Sequence, residues 1–171
     1  SSLSLSSNGT IVAIGVENRG AGHVLIYRNS SGSSWTKIGD IRGAATNNKF
    51  GRSVALSSDG TIVAIGAPNN SAAGSNSGQV KVYRNVSGTT WTQVGTDVNG
   101  GGAEYQFGHS ISLNSDGTRI VAGGCDVISF NARPGHVRVY ELPEVSVVTT
   151  PVVSTSSIVT TTPAVVTTPV V

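Results

Sequence analysis

Apolar residues fall in short runs of four to six positions, separated by clusters of Gly, Asn, Asp and Ser. In Val80-Lys81-Val82-Tyr83 they alternate with polar or amphipathic neighbours at period two, the spacing of a half-buried strand. The runs recur. Leu5-Ser6-Ser7-Asn8-Gly9-Thr10-Ile11-Val12-Ala13-Ile14-Gly15 returns as Leu56-Ser57-Ser58-Asp59-Gly60-Thr61-Ile62-Val63-Ala64-Ile65-Gly66. It returns again, altered, from Leu113-Asn114-Ser115-Asp116-Gly117-Thr118 to Gly123, so the offsets are 51 and 57 residues. Val24-Leu25-Ile26-Tyr27 recurs as Val80–Tyr83 and Val137–Tyr140, Trp35–Gly39 as Trp91–Gly95, and Phe50-Gly51-Arg52-Ser53 as Phe107-Gly108-His109-Ser110.

Each unit predicts four short antiparallel strands. In the second, strand one is Ser53–Leu56 and an Asp59-Gly60 turn follows, where both central residues would take positive φ. Strand two is Thr61–Gly66, and an Asn/Ser/Gly-rich loop leads to strand three, Gln79–Arg84. A turn at Asn85-Val86-Ser87-Gly88 then leads to strand four at Trp91. Four strands in roughly 50 residues is the size of one propeller blade. The fold class expected is all-β: about three blade-like repeats over residues 1–143 (about 1–49, 50–106 and 107–143), with a separate tail over 144–171.

The Phe-Gly openings, with Gly66-Ala67-Pro68, resemble the FG-GAP repeats of integrin-α-type propellers and of large secreted bacterial and microalgal proteins. The resemblance covers residues 1 to about 141; the Gly-Ala-Pro becomes Gly15-Val16-Glu17 in the first unit and Gly123-Gly124-Cys125 in the third. It implies calcium in the inter-strand loops. Calcium needs six to eight oxygens, several from carboxylates. The loop Asn69–Ser77 holds no carboxylate and the others only Glu17 or Asp126, so no metal or other cofactor is expected. Three blades fall short of the four to eight of closed rings. The chain is therefore expected to be a segment of a longer propeller, a ring completed by other chains, or a prism of three sheets. Its start at Ser1, without initiator methionine or signal peptide, reads as a processed or excerpted segment.

Composition narrows the function. Only 12% of residues are charged, about half the usual share, and the net charge is +2, so no basic stripe suggests nucleic acid. No apolar stretch reaches a membrane span. The single Cys125 reads as a small half-buried strand residue, and His23, His109 and His136 as blade positions. The nine acidic residues are scattered, and no spacing joins Glu104, His109 and Asp126, so an enzyme is not expected.

All eleven Lys and Arg lie at or before Arg138, whereas residues 144–171 hold 12 Ser/Thr, 10 Val and 3 Pro and carry a single charge, Glu144. Their hexads, such as Val147–Val152 and Val165–Val170, have the composition of an O-glycosylated stalk, with Thr149, Thr150, Thr160, Thr161, Thr162, Thr167 and Thr168 as candidate sites. A segment such as Val145–Thr149 is also suited to add a strand to a sheet edge, in its own chain or a neighbour's. Sequons at Asn8, Asn29, Asn69 and Asn85 fall in predicted turns or loops. Trp35 and Trp91 are the candidate platforms for a sugar ligand.

Together these readings predict a non-enzymatic extracellular or cell-surface structural or adhesive glycoprotein. Its expected partners are glycans and copies of itself or a neighbouring chain, through the tail, in a fibre-like assembly. The alternative is a ligand- or carbohydrate-binding propeller module.

Overall fold

The computed structural model describes residues 1–125 and 135–143. The chain is all-β there, in three antiparallel sheets. The first contains β1 (Ser2–Leu5), β2 (Ile11–Val16), β3 (His23–Ser31) and β4 (Ser34–Arg42) in chain order. The second contains β5 (Ser53–Leu56), β6 (Ile62–Ala67), β7 (Gln79–Ser87) and β8 (Thr90–Gln93), with the short β9 (Val98–Asn99) pairing β7 beyond β8. The third contains β10 (Ser110–Leu113), β11 (Arg119–Gly124) and β12 (His136–Glu141). The hexad tail, with Val145–Thr149 and every Thr offered as an O-glycosylation site, lies outside the described residues, as does Asp126.

Period-two alternation gives each sheet two faces, called here front (toward the preceding unit) and rear (toward the following one). Rear residues Ile11, Ala13, Val24, Ile26, Ile38 and Ile41 of the first sheet pack on front residues Val54, Leu56, Val63 and Ile65 of the second. Rear residues Ile62, Ala64, Val80 and Val82 of the second meet Ile111, Leu113, Ile120, Ala122 and Tyr140 of the third. The middle sheet is covered on both sides, which is why β5 and β6 are buried at every position instead of alternating.

Small residues set the approach of one unit to the next. Lys49 and Gln106 hold positive φ (54° and 45°), and Gly51 and Gly108 follow at 88° and 85°, so the intervening Phe50 and Phe107 turn inward, at 2% and 0% exposure. Each Phe-Gly docks on the unit before it. Ser2 donates its hydroxyl to the Gly51 carbonyl at 2.9 Å, and Ser53 donates to Gly108 at 2.7 Å. Gly15 and Gly66 lie against those same carbonyls; a Cβ on either would collide with backbone oxygen. Backbone bonds continue the pattern at the hairpin tips, Ser7 N–H to Ser58 C=O and Ser58 N–H to Ser115 C=O, both 2.9 Å.

Two turns differ from expectation. The Asn8-Gly9 class is a four-residue loop around a type I turn, closed by Gly9 N–H to Ser6 C=O. Only the glycines take positive φ there, Gly9 at 70°, Gly60 at 71° and Gly117 at 72°. Asn8, Asp59 and Asp116 serve through their side chains. Each accepts from the backbone N–H and hydroxyl of the Thr two residues on, and Ser6 and Ser57 donate to Asn8 and Asp59. The two-residue turns lie instead at Gly32-Ser33 and Gly88-Thr89, with Gly at the first central position (φ 56° and 54°) as a type II′ turn favours. Strand three therefore runs through Asn29 and Asn85, which sequence reading placed in turns.

Gly66→Ala and Gly123→Ala separate the interlock from ordinary strand propensity. Gly66 has a backbone oxygen where the methyl would go, whereas Gly123 has only the Ser110 hydroxyl at 3.0 Å and more distant atoms. Thermal denaturation should show a loss of at least about 3 kcal/mol for Gly66→Ala and under about 1 kcal/mol for Gly123→Ala.

Candidate functional site

The outer hairpins carry the candidate modification sites. Asn29 and Asn85 occupy the same position in successive units, half-buried, opposite Trp35 and Trp91. Each donates a side-chain N–H across the hairpin, Asn29 to Gly32 C=O at 2.7 Å and Asn85 to Gly88 C=O at 2.9 Å. A carboxamide has two N–H donors, and an N-linked sugar leaves one, so that bond is compatible with a glycan. The carboxamide oxygen of Asn8 is occupied by Ser6 and Thr10. Asn69, half-buried, donates its backbone N–H to Asn48 at 3.2 Å.

The two tryptophans share a repeat position and have different surroundings. Trp35 on β4 is 42% exposed. Trp91 on β8 packs against the core between the first and second sheets, and its indole N–H donates to Ile38 C=O at 2.9 Å. A stacking platform requires an open ring face, which Trp35 keeps and the half-buried Trp91 largely gives up to the neighbouring sheet.

Two polar clusters were not found by sequence reading. In the first unit Asp40 is approached by His23 Nδ1 (3.4 Å), Lys37 Nζ (3.6 Å) and Arg42 (3.4 Å). Partial burial works to raise its pKa, but Arg42, His23 and Lys37 outweigh it and leave the carboxyl below its ordinary value. These side chains, with Arg19 and Tyr27, line an open groove of about 490 Å³. In the second unit Asp97 occupies the corresponding place. It accepts from Gln79 and Gln93 and lies 3.1 Å from Lys81 Nζ. Burial and the Asp97 charge together raise the pKa of nearby Tyr83. The equivalence is concealed in the sequence because Gly39-Asp40 corresponds to Gly95-Thr96-Asp97, with one residue inserted.

The positions after Phe-Gly form a third group. Arg52 pairs with buried Glu17 at 3.0 Å and reaches His109 Nε2 at 3.2 Å. His136 stacks on Phe107, with centroids 5.6 Å apart, and burial followed by the Arg138 charge lowers its pKa. Cys125 follows β11, half-buried, with its sulfur 3.8 Å from the Gln106 side-chain oxygen. Among the described residues no three His, Cys, Asp or Glu side chains are grouped as metal ligands, and no helix is long and apolar enough to cross a membrane.

Two predictions follow from these geometries. Trp91→Phe removes the donor to Ile38 and is expected to cost about 1–2 kcal/mol in chemical denaturation, against under about 0.5 kcal/mol for Trp35→Phe. At Asp59, partial burial works to raise the pKa, but bonds from Ser57 and Thr61 outweigh it and leave the pKa lowered. The stabilisation from this charge is complete above the unfolded pKa near 4 and is lost as pH falls through the lower folded value. Asp59→Asn, which copies Asn8, is expected to match the parent at pH 7 and to gain on it below about pH 4. Asp59→Ala should be less stable at pH 7 by roughly 1–2 kcal/mol. Urea midpoints at both pH values check this.

Comparison with known proteins gives residues 42–83 as a match to the family model of the FG-GAP repeat. The match runs from the end of β4 into β7. Among solved structures the chain is similar to TolB from Acinetobacter baumannii, at 12% identity over 82% of this chain, with a TM-score of 0.48. The chain spans 29% of that protein's length. No curated protein matches the chain.

Proposed function

Starting from a second unit that is an FG-GAP repeat and neighbours built on the same interlock, we propose a non-enzymatic structural or adhesive module of an extracellular glycoprotein. The observation that carries this reading is the interlock itself. Ser hydroxyl to Gly carbonyl, Gly against Gly, and tip amide to tip carbonyl recur from unit one to two and from two to three. Most of these contacts use backbone or hydrogen-sized side chains, so they make a stiff bead while the outer hairpins vary. Asn29 and Asn85 then present sugars at matching hairpin edges, and the Thr-Thr-Pro hexads of the tail serve as the O-glycosylated or strand-donating segment.

Trp35 favours a second reading, a carbohydrate-binding module. Its exposed ring on β4 is available for stacking. Glycan-array binding that is lost on Trp35→Ala with the melting curve unchanged would support that reading over the scaffold.

The glycoprotein reading is tested by intact mass after secretion from a eukaryotic host. The bare chain is 17.4 kDa. Added hexose and N-acetylhexosamine mass is expected, part of it removed by an N-glycosidase and lost in Asn29→Gln with Asn85→Gln. A secreted product at the bare mass would overturn it.

A further inference from the structure

Trp91 fills a position between the first and second sheets that has no occupant between the second and the third. Its indole N–H donates to Ile38 C=O at 2.9 Å, and its ring lies against Gly39. One unit on, the counterparts of Ile38 and Gly39 are Val94 and Gly95. Among the described residues the Val94 carbonyl receives no hydrogen bond. Val82, Val94 and Val98 of the second unit, with Tyr140 and Leu142 of the third, line an open, mainly apolar groove of about 470 Å³ there.

The groove is open because the third unit departs from the repeat after Glu141. In the second unit β7 runs on into a hairpin and returns as β8, which carries Trp91. In the third, Leu142 still keeps the register. It donates its N–H to Thr118 C=O at 2.7 Å, as Asn85 does to Thr61 C=O at 2.8 Å. Pro143 and the hexads then replace the hairpin and its Trp. Among the described residues β12 is therefore the last strand of its sheet. Its outer edge is the one that β8 and Val94 cover one unit earlier. There Val82 C=O accepts from Val94 N–H at 2.8 Å and Arg84 pairs with Thr92; their counterparts on β12 are Val139 and Glu141. An unpaired edge of this kind is a template for an added strand.

We propose that the start of the hexad tail, Val145–Thr149, turns back on β12 of its own chain as the third sheet's fourth strand and closes this groove. Pro143 already occupies the entrance. A Cβ on Gly95 would lie 3.3 Å from Pro143 Cγ, so Pro143 sits over Gly95 as Trp91 sits over Gly39. Leu142-Pro143-Glu144-Val145 makes a four-residue loop around a type I turn, with Pro in its favoured second position. Ser146 and Val148 then face Glu141 and Val139 and complete their backbone bonds. Val145 and Val147 stand two apart, so one strand face carries both over Val94 and Val98. The five residues bring no charge into the apolar groove. Pro151, which has no N–H to donate, ends the pairing. The chain's own tail is favoured over a neighbour's because it is tethered at the groove, where a short link holds it at an effective concentration in the millimolar range. The inference rests on the strand-donating reading of the tail and needs no glycan, so its failure leaves the mass test above standing.

The test is amide hydrogen exchange of the full chain, read at Val139 and Glu141, with sedimentation of the same samples. The parent is expected to protect both amides as a monomer. Val148→Pro removes an N–H of the added strand, and Val147→Asp sets a carboxylate against Val94. Each is expected to speed exchange at Val139 and Glu141 by at least about a hundredfold. Val165→Pro, outside the strand, should change neither amide. Slow exchange at the fully buried Val63 and Ile65 in every variant verifies that the bead is folded. Rapid exchange of Val139 and Glu141 in the parent overturns the proposal. So does protection that survives both tail variants, which indicates another occupant, or protection seen only in a dimer, which indicates a neighbour's tail.

Discussion

Glycine against carbonyl is the contact on which the rest of this structure depends. Gly15 meets Gly51, and Gly66 meets Gly108, with the serine hydroxyls of Ser2 and Ser53 bonded to the same carbonyls. A side chain at either glycine would push the units apart and open the apolar layer between the sheets. The positive φ of Gly51 and Gly108 aims the preceding phenylalanine inward at the same step. One backbone arrangement thus sets sheet spacing, Phe burial and the alignment of the hairpin tips.

Freedom elsewhere follows from this rigidity. The interlock lies at β1, β2 and their counterparts, so β3, β4 and the loops beyond them carry little of the unit-to-unit register. Here the units diverge. His23 and Lys37 around Asp40 become Gln79, Lys81 and Gln93 around Asp97, with the acidic centre retained and its charge partners exchanged. Trp91 is the exception on the outer strands, tying β8 to Ile38 of the preceding sheet.

Much of the fold was legible because strands announce themselves locally. The three returns of Leu-Ser-Ser-Asn/Asp-Gly-Thr and of the Val-X-Val/Ile-Tyr strand placed β1 to β3 and their counterparts, with the end of strand three reaching three residues past the expected Arg84. Turn type was less legible. Asn8-Gly9 and Asp59-Gly60 satisfy the composition of a two-residue hairpin, but the Ser two positions before and the Thr two positions after offer the carboxamide or carboxylate better bonds, so the loop widens. The candidate sites were legible as residues but not as surroundings. Trp35 and Trp91 are indistinguishable by motif, and the Asp40–Asp97 equivalence was masked by the inserted Thr96.

Alternation, repeat length and turn chemistry are properties of neighbouring residues, so the sequence by itself determined an all-β chain of repeated units and the face on which each side chain lies. Which faces are covered depends on atoms about fifty residues away, and only the tertiary structure decided that. Leu5 and Leu56 sit in the same motif, yet one is 58% exposed and the other 9%, because only the second has a unit packed in front of it.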